Sequence, residues 1–599
     1  MIAGHGNRIS KRGVGMGHVS GRKSRRALLI VALFAGIGAA ALVRAGAGDS
    51  AIATAVKAGD LAGVRKMIAA KADVNAPGGD GSTALLWAAH GSNVEITRAL
   101  VAAGAKPDIA NRYGVTPLIQ ASRTGDFAIM KALLEAGASP KLATLEGETP
   151  LMAASRAGTL DGVSLLLARG ADVNSADPFQ QQTALMWAAA EGHAEVIDAL
   201  LKAGADPNKK AHVTSLTERK NADHPTGGFT ALMWAARNGH EAAMRSLAKG
   251  AADLNLKNGD NATAMNIAIV NDRFDVAAVL VELGADVNDG SLYHAVEMRD
   301  ATTDLYAHDG SRLRSDHPNK LSALDLIKLL LSKGADPNRT YAGLFHSTSM
   351  PNNDRFDNSP FFRAAVASDV EALKVLVASG KVDLEKTPPV PPAPTEGAAP
   401  PAGAAGGRGR GNANAGRTAI MVTMTGGRGP GLSAGPGYSR VGPPPYREPG
   451  VRNALEAFKY LLEAGANPNA KAPDGNTLLH QVAQAANLDM IKALAAHGVK
   501  FDEKNNAGLT ALDVAEGKVP EGARGPAGAR GGRGAAAPPP PAAARGRGGA
   551  RGGATQQDVA KLLRELMGLP PAPPAPPAPA DATPPATETT PAADDGDVQ

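Results

Sequence analysis

From Thr183 to Asn208 the chain reads TALMWAAAEGHAEVIDALLKAGADPN, and its apolar positions fall into two short sets separated by a break. Leu185, Ala188 and Ala189 recur at helical spacing and predict one buried helix face, and Val196, Ile197, Leu200 and Leu201 predict a second. Thr183 stands where its hydroxyl can cap the first helix. Gly192 breaks that helix, and Gly204 ends the second at a position suited to positive φ. Neither helix can hide its apolar face alone, so the pattern requires neighbouring units that stack against it.

The sequence supplies such neighbours. Thr-(Ala/Pro)-Leu begins at Thr83, Thr116, Thr149, Thr183 and Thr230, and degenerate versions begin at Ser50, Thr263, Ser291, Ser359, Thr418, Thr477 and Thr510, giving twelve candidate units. The undisturbed steps (50 to 83, 83 to 116, 116 to 149, 230 to 263 and 477 to 510) are each 33 residues. A second signature keeps phase with the first in Gly170-Ala171-Asp172-Val173-Asn174, Gly204 to Asn208, Gly284 to Asn288, Gly334 to Asn338 and Gly465 to Asn469. With these two phase-locked signatures the chain resembles the ankyrin repeat family, whose units pair two helices and end in a hairpin-like turn. The resemblance implies an all-α, ankyrin-type solenoid of about twelve helix–turn–helix repeats sharing one continuous core.

Departures from the period divide the chain. Units one to nine occupy 48–386 and units ten to twelve 417–518. The 47-residue step from Thr183 to Thr230 places an insertion, Ala211 to Pro225, in the turn between units five and six. In unit eight the first helix should end near Arg299 and the second begin near Leu321, and Tyr341 to Asn358 forms another inter-repeat loop. A Pro/Gly/Ala-rich stretch, 387–416, separates units nine and ten, and the loop 426–450 displaces the second helix of unit ten. An Arg/Gly/Pro-rich insertion, 519–554, precedes a closing helix within 555–568. Pro-Ala repeats and acids over 569–599 predict a disordered tail, as composition does for the low-complexity insertions.

Composition changes this picture in two ways. The 599-residue chain has no Cys, which excludes a disulfide framework, a thiolate metal site and a cysteine nucleophile, so stability must come from packing. The net charge of +5 suggests a nucleic-acid or membrane partner only until it is divided by segment. Residues 1–47 carry +8, 387–450 carry +4, 519–554 carry +5 and the tail carries −5, leaving −7 for what is essentially the repeat array. Arg524 to Gly553 also lacks any aromatic residue to stack on a base, so no nucleic-acid partner is expected. The basic leader runs into an uncharged apolar stretch, Ala27 to Val43, followed by Ala45-Gly46-Ala47. It reads as a signal peptide or as an N-terminal anchor tethering the chain to the inner membrane, and Ser24 to Leu29 resembles a twin-arginine export signal. The expected location is the periplasm or cell envelope.

No catalytic constellation emerges. His193 and His240 follow Gly in the turn between two helices and His480 lies in a first helix, where structural roles are expected; His240-Glu241 begins like a zinc-protease signature, but Met244 stands where the second ligand should be. Asp223-His224-Pro225 and Asp316-His317-Pro318 offer carboxylate and imidazole, yet the resemblance places them at opposite edges of the stack, so neither metal nor cofactor is expected. Trp87, Trp187 and Trp234 each stand four residues after a repeat Thr, and their expected role is packing within or between repeats. The resemblance implies that partners are gripped by the hairpin tips and the exposed side of the first helices. Tip positions are Tyr113, Phe179 and Phe229, and late first-helix positions are Arg123, Arg156, Glu191, Arg237 and Asn238. The expected function is a non-catalytic scaffold that is exported and holds an unknown protein partner on its concave face. The alternative is a membrane-tethered structural protein contacting anionic envelope polymers.

Overall fold

The computed structural model describes residues 50–213, 227–300, 319–341, 359–388, 416–424, 453–518 and 554–571. These hold 24 helices in twelve helix–turn–helix pairs, with isolated β-bridges and no strand among the described residues. Units one to four comprise α1 (Ala51–Lys57) with α2 (Leu61–Ala69), α3 (Ala84–His90) with α4 (Val94–Ala102), α5 (Pro117–Thr124) with α6 (Phe127–Glu135), and α7 (Pro150–Ala157) with α8 (Leu160–Ala168). Units five to eight comprise α9 (Ala184–Glu191) with α10 (Ala194–Lys202), α11 (Ala231–Asn238) with α12 (Glu241–Lys249), α13 (Ala264–Val270) with α14 (Phe274–Glu282), and α15 (Ser291–Asp300) with α16 (Ala323–Ser332). Units nine to twelve comprise α17 (Pro360–Ala367) with α18 (Val370–Ala378), α19 (Ala419–Thr423) with α20 (Ala454–Glu463), α21 (Leu478–Gln484) with α22 (Leu488–Ala496), and α23 (Ala511–Ala515) with α24 (Gln556–Leu566).

The repeated Thr or Ser is the start signal of most first helices, Thr418 before α19 making no cap bond. Oγ1 of Thr83, Thr116, Thr149 and Thr183 accepts the backbone N–H three residues on, at 3.2–3.3 Å, and Ser50 and Ser359 do the same at 3.2 and 3.4 Å. In units seven, eleven and twelve the reciprocal bond is also made, from the Thr263, Thr477 and Thr510 N–H to the side chains of Asn266, His480 and Asp513. His480 therefore has a structural task, which it extends by bonding Leu509 O through Nε2 at 2.9 Å. Gly192 stops α9 at φ 81°, where a Cβ would lie 2.7 Å from the His240 ring, and Gly204 reverses the chain after α10 at φ 90°.

First helices pack on first helices from α1 through to α19 and from α21 to α23, with the second helices forming an outer layer. One hydrophobic cluster runs without interruption from Ile52 to Leu563, so units on either side of every insertion share a core. The Asn that ends the second signature explains its phase. Its carboxamide oxygen accepts a backbone N–H from the next unit: Asn75 from Lys106, Asn174 from Asp206, Asn208 from Asp253, Asn255 from Asp286, Asn288 from Asp336, Asn338 from Asp383 and Asn469 from Lys500, all at 2.7–2.9 Å. Between units nine and ten, Glu385 takes over, accepting from Asn467 N–H at 2.8 Å. Gly416 N–H donates to Pro388 O at 2.9 Å, so the two residues that flank 389–415 meet.

One feature of units eight and nine is not periodic. Arg299, near the end of α15, is fully buried with Asp369 at the start of α18: Nη2 donates to Asp369 Oδ1 at 3.1 Å and to Glu371 at 2.9 Å. The leader, most of the insertions and the tail beyond 571 lie outside the described residues.

Candidate functional site

Short side chains at the hairpin bases fold the tips and aim them. Asn111 Oδ1 accepts the N–H groups of Tyr113 and Val115 at 3.0 Å, and the Asp177 carboxylate accepts those of Phe179, Gln180 and Gln182 at 2.6–2.9 Å. Successive tips are then tied backbone to backbone, Arg112 N–H to Asp80 O at 2.9 Å, Leu145 to Tyr113 at 3.1 Å and His212 to Gln180 at 2.7 Å. This leaves large apolar side chains in solvent at consecutive tips: Tyr113 is 53% exposed, Leu145 72% and Phe179 62%.

Between the tips of units three to five and the ends of α5, α7 and α9 lies a groove of about 970 Å³. Four of the residues expected at the contact surface line it: Arg123, Arg156, Phe179 and Glu191. Arg123 Nε donates to Glu148 at 2.9 Å; Arg156 lies 3.6 Å from Glu191 and sets its guanidinium 4.9 Å from the centre of the Trp187 ring. The groove presents four carboxylates, Glu146, Glu148, Asp177 and Glu191, against those two guanidinium groups.

The other four residues are placed elsewhere. Tyr113, one tip earlier, accepts a 2.7 Å hydrogen bond from Arg112. Phe229 is half-buried with its ring 5.1 Å from Trp234; Arg237 covers that same indole at 5.5 Å, and the Asn238 amide donates to Ala190 O at 2.7 Å. The three tryptophans pack against the core while keeping one face for a cation, Trp87 being covered by Lys57 at 3.7 Å. His193 and His240 each bond a carbonyl of the preceding first helix, Arg156 O and Ala190 O, at 3.0 Å. Burial lowers the His240 pKa, and the Ala190 bond opposes it.

Glu146 and Glu148 did not stand out from the repeat pattern because single acids recur at those positions, Asp80, Asp260 and Asp474 three residues before the repeat Thr and Asp49 just before Ser50; the one distinctive signal was their joint occurrence immediately before Thr149. Among the described residues no cluster of three His, Asp or Glu could hold a metal, and both Asp-His-Pro motifs lie outside them. Among the described residues no helix is long and apolar enough to cross a membrane, and Ala27 to Val43 is likewise outside them. The groove offers aromatic faces and charges, the chemistry of recognition.

A family model described as ankyrin repeats in three copies matches residues 52–144, 139–211, 212–291 and 451–520, together just over half of the chain. Among solved structures, the human ASB11 ankyrin repeat domain is similar at 25% identity over 40% of this chain and 99% of that one, with a TM-score of 0.33. The ankyrin repeat domain of Bcl-3, a member of the IkappaB family, is similar at 26% identity over 39% of this chain and 99% of that one, with a TM-score of 0.32. Repeat signature, paired helices and family match agree: the chain belongs to the ankyrin repeat family.

Proposed function

We propose that this protein is a non-catalytic, exported scaffold that holds a partner protein in the groove formed by the hairpin tips and first helices of units three to five. Ankyrin repeats generally mediate protein–protein interaction, and the observation that carries the reading here is the meeting of Arg123, Arg156, Phe179 and Glu191 in one groove. Arg and aromatic side chains are the usual anchors of protein interfaces. Export is supported by the basic leader and the apolar run Ala27 to Val43.

The test is site-specific photo-crosslinking in the full-length chain, with a benzophenone amino acid at Phe179 and a control at an exposed second-helix position such as Glu95. A protein adduct formed from position 179 and absent from position 95 is expected; equal labelling from both positions sinks the assignment. Fractionation separates the free form from a tethered one. A soluble mature protein beginning near Gly48 is expected, and an intact N-terminus that stays in membranes after a salt wash would establish the tether instead.

A further inference from the structure

We infer that the groove of units three to five is a seat for arginine side chains, and that its occupant is the Arg/Gly-rich segment 519–553 of a second copy of this chain. The inference rests on the reading of the groove as a protein-binding face. Its cations are already engaged, Arg123 by Glu148 and Arg156 by Glu191, while Asp177 is occupied by three backbone N–H groups. That leaves Glu146, which is exposed and has no ion pair among the described residues, lining the same groove as the 62% exposed ring of Phe179. A guanidinium can lie flat on an aromatic face and direct its fork of donors to a carboxylate, which an ammonium cannot do. The protein uses the stacking half of this arrangement repeatedly, with Arg112 over Tyr113 and Arg156 over Trp187, both at 4.9 Å, and Arg237 over Trp234.

The complementary charge is in the same chain. Segment 519–553 carries six Arg (524, 530, 533, 545, 547 and 551), one acid, and otherwise small residues or Pro that leave a guanidinium unobstructed, whereas the repeat array is acidic. Chain length favours an intermolecular contact. Both ends of the segment are fixed at unit twelve, where α23 packs on α24, so its midpoint reaches at most about 60 Å from there. With helices of successive units about 8–10 Å apart, the groove lies about 60–80 Å away. A loop of its own chain would reach the groove only when fully taut, at the near end of that range, which favours the segment of a second copy. The contact joins two different surfaces of the chain, so association proceeds either by reciprocal exchange between two copies or by growth into rings or chains.

Sedimentation velocity on the full-length protein tests this at low and high salt. Wild type is expected to self-associate with rising concentration at low salt and to dissociate at high salt. Changing all six arginines to Gln, or combining Glu146→Gln with Phe179→Ala, should each weaken association by about tenfold or more, the scale of a desolvated guanidinium on an aromatic face. Mixing the two variants should restore pairing, because one retains its groove and the other its segment. Wild type that stays monomeric overturns the inference, as does an arginine variant that associates normally. Loss of association on changing the arginines but not on changing the groove overturns the site. In the crosslinking experiment, an adduct from position 179 to an unrelated protein, or to residues 389–452, with none to 519–553 overturns the occupant but leaves the scaffold reading standing. No adduct at all removes both.

Discussion

At the scale of single residues, two buried ionisable groups carry measurable consequences. Asp369 is the buried counter-charge of Arg299, beside the exposed Glu371, and also caps α18 through Ala372 N–H. Asp369→Ala should therefore cost up to about 3–5 kcal/mol, since it leaves the buried guanidinium with the exposed Glu371 in place of its buried counter-charge; a loss below about 1 kcal/mol by urea denaturation would show that the pair behaves like a surface one. His294 is buried beside Tyr341, with ring centroids 4.5 Å apart, and loss of solvent holds its pKa down to about 3 from 6.5. Between those values the unfolded chain binds a proton that the folded chain refuses. Stability should thus fall as pH drops from about 6.5 toward 3, by up to about 1.4 kcal/mol per pH unit from this group. His294→Leu should flatten that part of the profile relative to wild type, and urea midpoints measured from pH 7 to 4 would show an unchanged slope if the imidazole were irrelevant. Neither group was legible beforehand. Arg299 reads as an ordinary helix-end cation and His294 as one more polar residue, because their partners, Asp369 and Tyr341, lie on elements separated from them by an insertion.

At the scale of elements, the sequence carried most of the fold. Thr83, Thr116 and Thr149 could be read as helix starts because a cap is a local device, decided within three residues. Thr183→Ala, which removes the cap of α9, should cost about 1 kcal/mol, whereas Thr183→Ser should be nearly neutral; equal losses by thermal denaturation would point to packing of the methyl group instead. The phase of the Gly-Ala-Asp-x-Asn signature was also legible, but not its purpose, since Asn174 finds its partner 32 residues away. Half of the expected contact residues converged in the groove because Arg123 and Arg156 hold equivalent positions seven residues after the repeat Thr, with Glu191 one place further on in the next unit, so the period brings these helix ends side by side. Phe229 holds a tip position too, yet its ring turns inward onto Trp234, a choice of side-chain packing that no period encodes.

At the scale of the whole molecule, each unit touches only its neighbours, so damage should propagate by proximity along the stack. Leu200 is fully buried in unit five, and Leu200→Ala should cost about 2–5 kcal/mol. Hydrogen exchange should report the largest loss of protection in units four to six, and protection lost uniformly to unit twelve would argue for a single cooperative block. Segment 389–415 belongs to the same logic. The units on either side of it are joined through the Gly416 to Pro388 bond, the Asn467 to Glu385 bond and the packing of α17 on α19. The peptide bonds that cross that stretch therefore add little to what already holds units nine and ten together. A chain cut there by a protease, or produced from two separate genes, should reassemble into one particle, making this position a natural place to divide the protein for complementation assays or to graft a reporter.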